Sequence, residues 1–107
     1  MTIPSSGLTP TASVILMPIF IAKQGCASSL ESALLRLQTA SRTDEGCVAY
    51  SIFADLNDAN RFILYEEWTT QELLDDHGLQ AHVVDFLVET EELLAEPFAV
   101  TRMQAIG

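Results

Sequence analysis

Apolar and polar positions recur along the chain with periods that change from strand to helix and back. Residues 14–22, "VILMPIFIA", are apolar on both faces of a strand. Pro18 predicts a bulge or an edge there, because it has no N–H to give a ladder. In "SSLESALLRLQTASR", Leu30, Leu34 and Leu37 recur at helical intervals, and Ser28 followed by Glu31 has capping-box spacing. "TDEG" ends that helix, with Gly46 supplying the sharp exit. "CVAYSIFAD" and "RFILYEEWT" read as a second and a third strand, joined by the turn residues of "LNDAN". Thr69 and Glu72 repeat the capping-box spacing and open a short helix through His77, which Gly78 breaks or kinks. A second helical run, "LQAHVVDFLVETEELLAE", carries a stripe of Val83, Phe86, Leu87 and Leu94 and stops at Pro97. "FAVTRMQAI" then closes the chain as an alternating strand.

That order predicts an α+β fold of the ferredoxin-like βαββαβ kind, an antiparallel sheet with its helices on one face. Residues 14–107 form the expected domain, behind a flexible leader over residues 1–13 that is rich in Pro, Ser, Thr and Gly. The uncovered sheet face predicts a homodimer in which a second copy covers it. The third strand also sets a register. If Asp55 pairs with Arg61 across the turn, Tyr50 falls opposite Glu66 and Ile52 opposite Leu64. Phe62, Leu64, Glu66 and Trp68 then share one face with Tyr50, while Arg61, Ile63, Tyr65 and Glu67 look toward the second subunit. A carboxylate stands in an apolar row.

Bulk properties narrow the role. The 107 residues suit one domain, and 49% of them are apolar, which agrees with surface covered by a partner. Fifteen acidic residues against five basic ones give a net charge of −10, a surface that repels phosphate backbones and anionic lipid. No nucleic-acid or membrane partner is expected. Cys26 and Cys47 are too few for a disulfide framework and lie outside any C-x-x-C pair, so they read as free thiols. The first basic residue is Lys23, so the N-terminus lacks a signal peptide's basic region, and the apolar run is too short to span a bilayer. A cytoplasmic location is the expectation. Glycine-rich phosphate loops, Ser-His-Asp arrangements and metal-ligand spacings are absent from the pattern.

"EGCVAYSIFADLNDANRFILYEEWTTQELLDDH" resembles the antibiotic biosynthesis monooxygenase family, the small dimeric α/β barrels. The resemblance rests on Glu45, Gly46 and Cys47; on Tyr50; on Asp55, Asn60 and Phe62; on Tyr65, Glu66 and Trp68; and on Leu73, Leu74 and His77. It implies a cofactor-independent monooxygenase acting with O₂ on a small cyclic or aromatic oxygenated substrate. Haem-degrading relatives need a first-strand Asn, a helix Trp and a helix His, where this chain has Met17, His77 and Leu87. No haem, metal or other cofactor is therefore expected. The wider family also includes isomerases of small sugars and members without known activity, so an isomerase of a small hydroxyketone and a non-enzymatic ligand-binding barrel stay open beside the monooxygenase.

Glu66 is the first candidate for chemistry, because a desolvated carboxylate at an apolar cavity holds its proton more tightly and suits proton transfer. The competing reading is a glutamate that ties strands together through Tyr50. His77 is the second acid–base candidate, since imidazole exchanges protons near neutral pH; an exposed helix-end histidine is the bland alternative. Tyr50 would bind a substrate oxygen, and Trp68 and Phe62 would form an aromatic wall, unless Trp68 is core with its N–H satisfied. Asn60 is a candidate substrate contact whose simpler role is capping the turn. His82 is expected at the surface.

Overall fold

A computed structural model describes residues 13–107, so the expected leader lies almost wholly outside the described residues. The elements follow in the order β1 (Val14–Ile21), α1 (Ala27–Ser41), β2 (Cys47–Asp55), β3 (Asp58–Trp68), α2 (Gln71–Gly78), α3 (Ala81–Thr90) and β4 (Ala99–Met103). The strands form one sheet in the order β2-β3-β1-β4, with every neighbouring pair antiparallel. This is the ferredoxin-like α+β arrangement, its second helical segment split into α2 and α3.

Pro18 occupies neither a bulge nor an edge. β1 is an interior strand between β3 and β4, and Pro18 pairs with Val100 in register. Toward β3 the ladder runs from Val14↔Trp68 to Leu16↔Glu66 and resumes at Ile19↔Ile63 without a register shift. The interruption falls on Met17 and Pro18, where the proline has no N–H to donate. A missing bond was enough to accommodate it.

The helix starts also differ from the capping-box spacings. α1 is capped at Cys26, with no side-chain bond, which places Ser28 inside the helix. α2 is capped by Thr70, whose hydroxyl accepts the Leu73 N–H at 3.1 Å, one residue after the expected Thr69. α3 ends at Thr90, well before Pro97, because the chain turns back to β1: Lys23 N–H bonds Leu93 O, and Ala95 N–H bonds Ile21 O.

The core lies between the sheet and the helices. Leu30, Leu34 and Leu37 of α1 are all buried, as their spacing requires, and meet Phe20, Phe62, Leu64 and Tyr50. Phe20 packs edge-on against Phe86 of α3 and stacks on Phe98, with ring centroids 5.7 and 4.9 Å apart. Along β3 the even residues Phe62, Leu64, Glu66 and Trp68 are buried, and the odd residues Arg61, Ile63, Tyr65 and Glu67 are half-buried on the open face. The pleat sorts them by parity.

Candidate functional site

The expected register is present: Tyr50 pairs with Glu66 and Ile52 with Leu64. The Asp55 carboxylate bonds Arg61 Nη1 at 2.8 Å, although irregular pairing beyond Ala54 brings Asp55 opposite Asp58 in the ladder. With that register, Tyr50 and Glu66 face the helices beside each other. Glu66 is 5% exposed and His77 6%.

A cavity of about 180 Å³ lies between the sheet and the helices. Leu16, Pro18, Phe20, Leu64, Leu74, Val83 and Phe86 make most of it apolar, and Leu87, Phe98 and Val100 stand at its partly exposed margin. Three polar side chains join its lining: Tyr50, Glu66 and His77. A wider hollow of about 630 Å³ lies between α3 and the segment before β4. Its buried polar side chain, Thr90, already donates its hydroxyl to Phe86 O at 2.8 Å. That hollow offers little for chemistry.

Glu66 Oε1 accepts the Trp68 indole N–H at 2.8 Å. Burial pushes the carboxyl above its ordinary range, and the indole bond pulls the other way without cancelling it. Oε2 has no hydrogen-bond partner among the described residues. Burial, and then the neighbouring Glu66 carboxylate, drive the Tyr50 phenol far above its usual value, so it stays a protonated donor. His77 Nδ1 lies 2.8 Å from Asp44 Oδ2. A carboxylate can only accept, so Nδ1 carries the proton and Nε2 keeps its lone pair. Burial lowers the His77 pKa first; Asp44 opposes that, and His82 adds to it. A neutral imidazole results at neutral pH.

Trp68, Phe62 and Asn60 do not line the cavity. The Trp68 ring is fully buried, with its centroid 4.4 Å from that of His77 and its N–H spent on Glu66. It supports both polar groups from behind. Phe62 lies under α1 at a separate small hollow with Ile52, Ala54, Glu31 and Leu35. Asn60 is at the far end of β3, its backbone N–H on Asp58 Oδ1 and its amide on Gln24 Oε1.

Two residues outside the expected set join His77. His82, expected at the surface, is half-buried, and its Nε2 lies 2.8 Å from the same Asp44 Oδ2. On an uninterrupted helix a spacing of five turns two side chains about 140° apart. The break at Leu79 and Gln80 removes that divergence and brings the two imidazole centroids to 6.0 Å. Asp44 belongs to the turn after α1, where Asp44 N–H bonds Ser41 O and Cys47 N–H bonds Asp44 O. A contact across 33 residues has no local spacing to reveal it.

Residues 14–88 match the family model described as antibiotic biosynthesis monooxygenase. The chain belongs to that family. Within it, the chain is 28% identical over 91 residues to a Mycobacterium tuberculosis protein named "Putative monooxygenase Rv0793", covering 85% of this chain and 89% of the relative. The structure of Rv0793 superposes with a TM-score of 0.84 at 24% identity, over 90% of this chain and 97% of that one. PA3566 from Pseudomonas aeruginosa superposes with a TM-score of 0.85 at 26% identity, over 90% and 96%. Among the described residues, no helix is long and apolar enough to cross a membrane.

Proposed function

We propose that the chain is a cofactor-independent monooxygenase for a small, single-ring phenol or hydroquinone. The observation that carries this reading is the convergence of Glu66, Tyr50 and His77 on one largely apolar cavity. Size narrows the substrate, since an apolar cavity of about 150 Å³ is enough for benzene and this one measures about 180 Å³. A single ring fits that volume without rearrangement.

In this scheme Tyr50 donates a hydrogen bond to a substrate oxygen, and Glu66 Oε2 removes a substrate proton. The resulting anion supplies electrons to O₂, and a ring carbon forms the new C–O bond. The O–O bond then breaks and the distal oxygen leaves as water. Net, the substrate loses two hydrogens and gains one oxygen, which balances one O₂ consumed against one water formed. Neutral His77 Nε2 accepts and returns a proton as the oxygens change charge. The apolar walls exclude water that would otherwise protonate the anion.

Assembly belongs to the same proposal. Ile63 and Tyr65 of β3, with Ile15 and Ile19 of β1, present a half-exposed apolar row on the face away from the helices, and Phe53 is 53% exposed there. A second copy of this sheet would cover the row and form the homodimer. Sedimentation should give twice the chain mass, and Ile63→Asp should give the single mass; a monomeric wild type would remove the dimer from the scheme.

The activity test measures oxygen uptake and product mass with a panel of phenols and hydroquinones. One O₂ per product is expected, with turnover abolished in the Glu66→Gln/His77→Gln double variant. If that double variant turns over a genuine substrate at the wild-type rate, the assignment is wrong. Conversion of a hydroxyketone without oxygen uptake would replace it with an isomerase that uses the same acid–base pair.

A further inference from the structure

A second pocket, of about 390 Å³, shares His77 with the cavity and is lined by Thr43, Asp44, Asp76 and Gln80 as well. We infer that Asp44, His77 and His82 form a binding site for a divalent first-row transition metal such as Zn²⁺ or Co²⁺, with its remaining coordination positions open to this pocket. The ligand atoms are His77 Nδ1, His82 Nε2 and a carboxylate oxygen of Asp44, all within 4.8 Å of one another. Nothing in this inference depends on the proposed oxygenase reaction.

The donor set argues for the class of ion. Two imidazoles and one carboxylate suit Zn²⁺, Co²⁺ or Ni²⁺, whereas Mg²⁺ and Ca²⁺ prefer oxygen ligands throughout. Geometry argues for the site. Metal–ligand distances of about 2.0–2.2 Å place neighbouring ligands of a tetrahedral ion about 3.3 Å apart. Both histidine nitrogens now lie 2.8 Å from Asp44 Oδ2. Each of these contacts has to open by about 0.5 Å, and the two imidazole nitrogens, which lie within 4.8 Å of each other, have to settle at the same spacing. The Gly78–Gln80 junction between the two histidines is exposed, which leaves room for that adjustment. Three protein ligands with an open pocket leave room for water or an exogenous ligand.

The electrostatics agree. Glu45 and Asp76 line the same pocket, and the chain's −10 charge draws cations toward it. Binding displaces the proton on His77 Nδ1 and moves it to Nε2 or to solvent. With the proton on Nε2, a bound ion would turn that nitrogen from an acceptor into a donor, and His77 lines both pockets.

The test is Co²⁺ titration of the full chain in a Cys26→Ser/Cys47→Ser background, so that thiols do not supply ligands. Visible d–d absorption saturating at one ion per chain is expected, with calorimetric binding of Zn²⁺ at the same stoichiometry and an upward shift in Tm reversed by a chelator. Asp44→Asn and His82→Ala should each weaken the affinity by at least about tenfold. Circular dichroism establishes that the variants are folded, and Asp44→Glu supplies a conservative second variant that should retain the spectrum if Asp44→Asn does not fold. No saturable binding to this background, or affinity unchanged in both Asp44→Asn and His82→Ala, overturns the inference.

Discussion

Glu66 and Glu67 are adjacent in sequence, on one strand, and each accepts a hydrogen bond from an aromatic side chain two residues away. Trp68 Nε1 donates to Glu66 at 2.8 Å; the Tyr65 hydroxyl donates to Glu67 at 3.2 Å. The pleat makes them different. Glu66 faces α2 and the cavity, where burial raises its pKa, while Glu67 stands half-buried on the open face. Residue type and local bonding are matched, so the chemical distinction comes from what lies above each face of the sheet.

The sharpest test of that difference is a pair of isosteric changes. Glu66→Gln should lower turnover by about 10²–10⁴-fold, the range for loss of a positioned acid–base group. Glu67→Gln should leave it within about threefold by the same scale. Stability reports the pair independently of any substrate. Because the folded chain holds the Glu66 proton more tightly than the unfolded chain, its contribution is full below the ordinary value of 4.5 and is lost as pH rises through the raised folded value. Urea denaturation across that window should show this fall in wild type and in Glu67→Gln, but not in Glu66→Gln. An identical pH dependence in all three would mean that Glu66 is solvated.

Next in size is removal of the aromatic donor on the buried side. Trp68→Phe leaves a void and strips the buried Glu66 Oε1 of its partner. The expected cost is about 2–4 kcal/mol, from the lost volume and the unsatisfied acceptor. Because the indole bond lowers the Glu66 pKa, its loss should also move the acidic limb of the rate profile to higher pH. A profile that stays in place would separate Trp68 from the chemistry.

Gly46 tests how the turn after α1 sets the height of α2 above β3. Its φ is +86°, and a Cβ added there would lie 2.6 Å from Leu73 Cδ1 on α2. Gly46→Ala therefore combines backbone strain with displacement of α2, for an expected loss of about 1–3 kcal/mol in chemical denaturation. His77 sits on that helix and Asp44 in that turn, so the variant should also alter the His77 imidazole resonances in NMR. Unchanged stability would show that α2 is loosely seated.

How far the sequence was legible follows the same division between local and distant. The parity of β3 and the turn before it fixed the register, and with it the pairing of Tyr50 with Glu66. The spacing of Leu30, Leu34 and Leu37 identified the buried face of α1. Pro18 misled because a strand interior tolerates one lost ladder bond when the neighbouring positions hold. His82 misled because a helix break resets the angular relation between positions five apart, and Asp44 was missed because its partners lie on other elements. Phe62 shares a row with Glu66 but lies four residues away, far enough along a strand to fall beneath α1 and not beside the cavity.

The smallest expected effect belongs to the open face. Tyr65→Phe removes the hydroxyl that Glu67 accepts, yet Glu67 has access to water that can take its place. Exchange of a protein partner for a solvent partner should cost about 0.5 kcal/mol or less in the isolated chain. Urea denaturation over a range of protein concentrations distinguishes the chain from its assembly. If the cost stays small at every concentration, the Tyr65–Glu67 bond is peripheral even in the proposed dimer. If it grows as concentration rises, the second copy excludes water from that bond, and the open face acquires on assembly the desolvation that the helices already impose on Glu66.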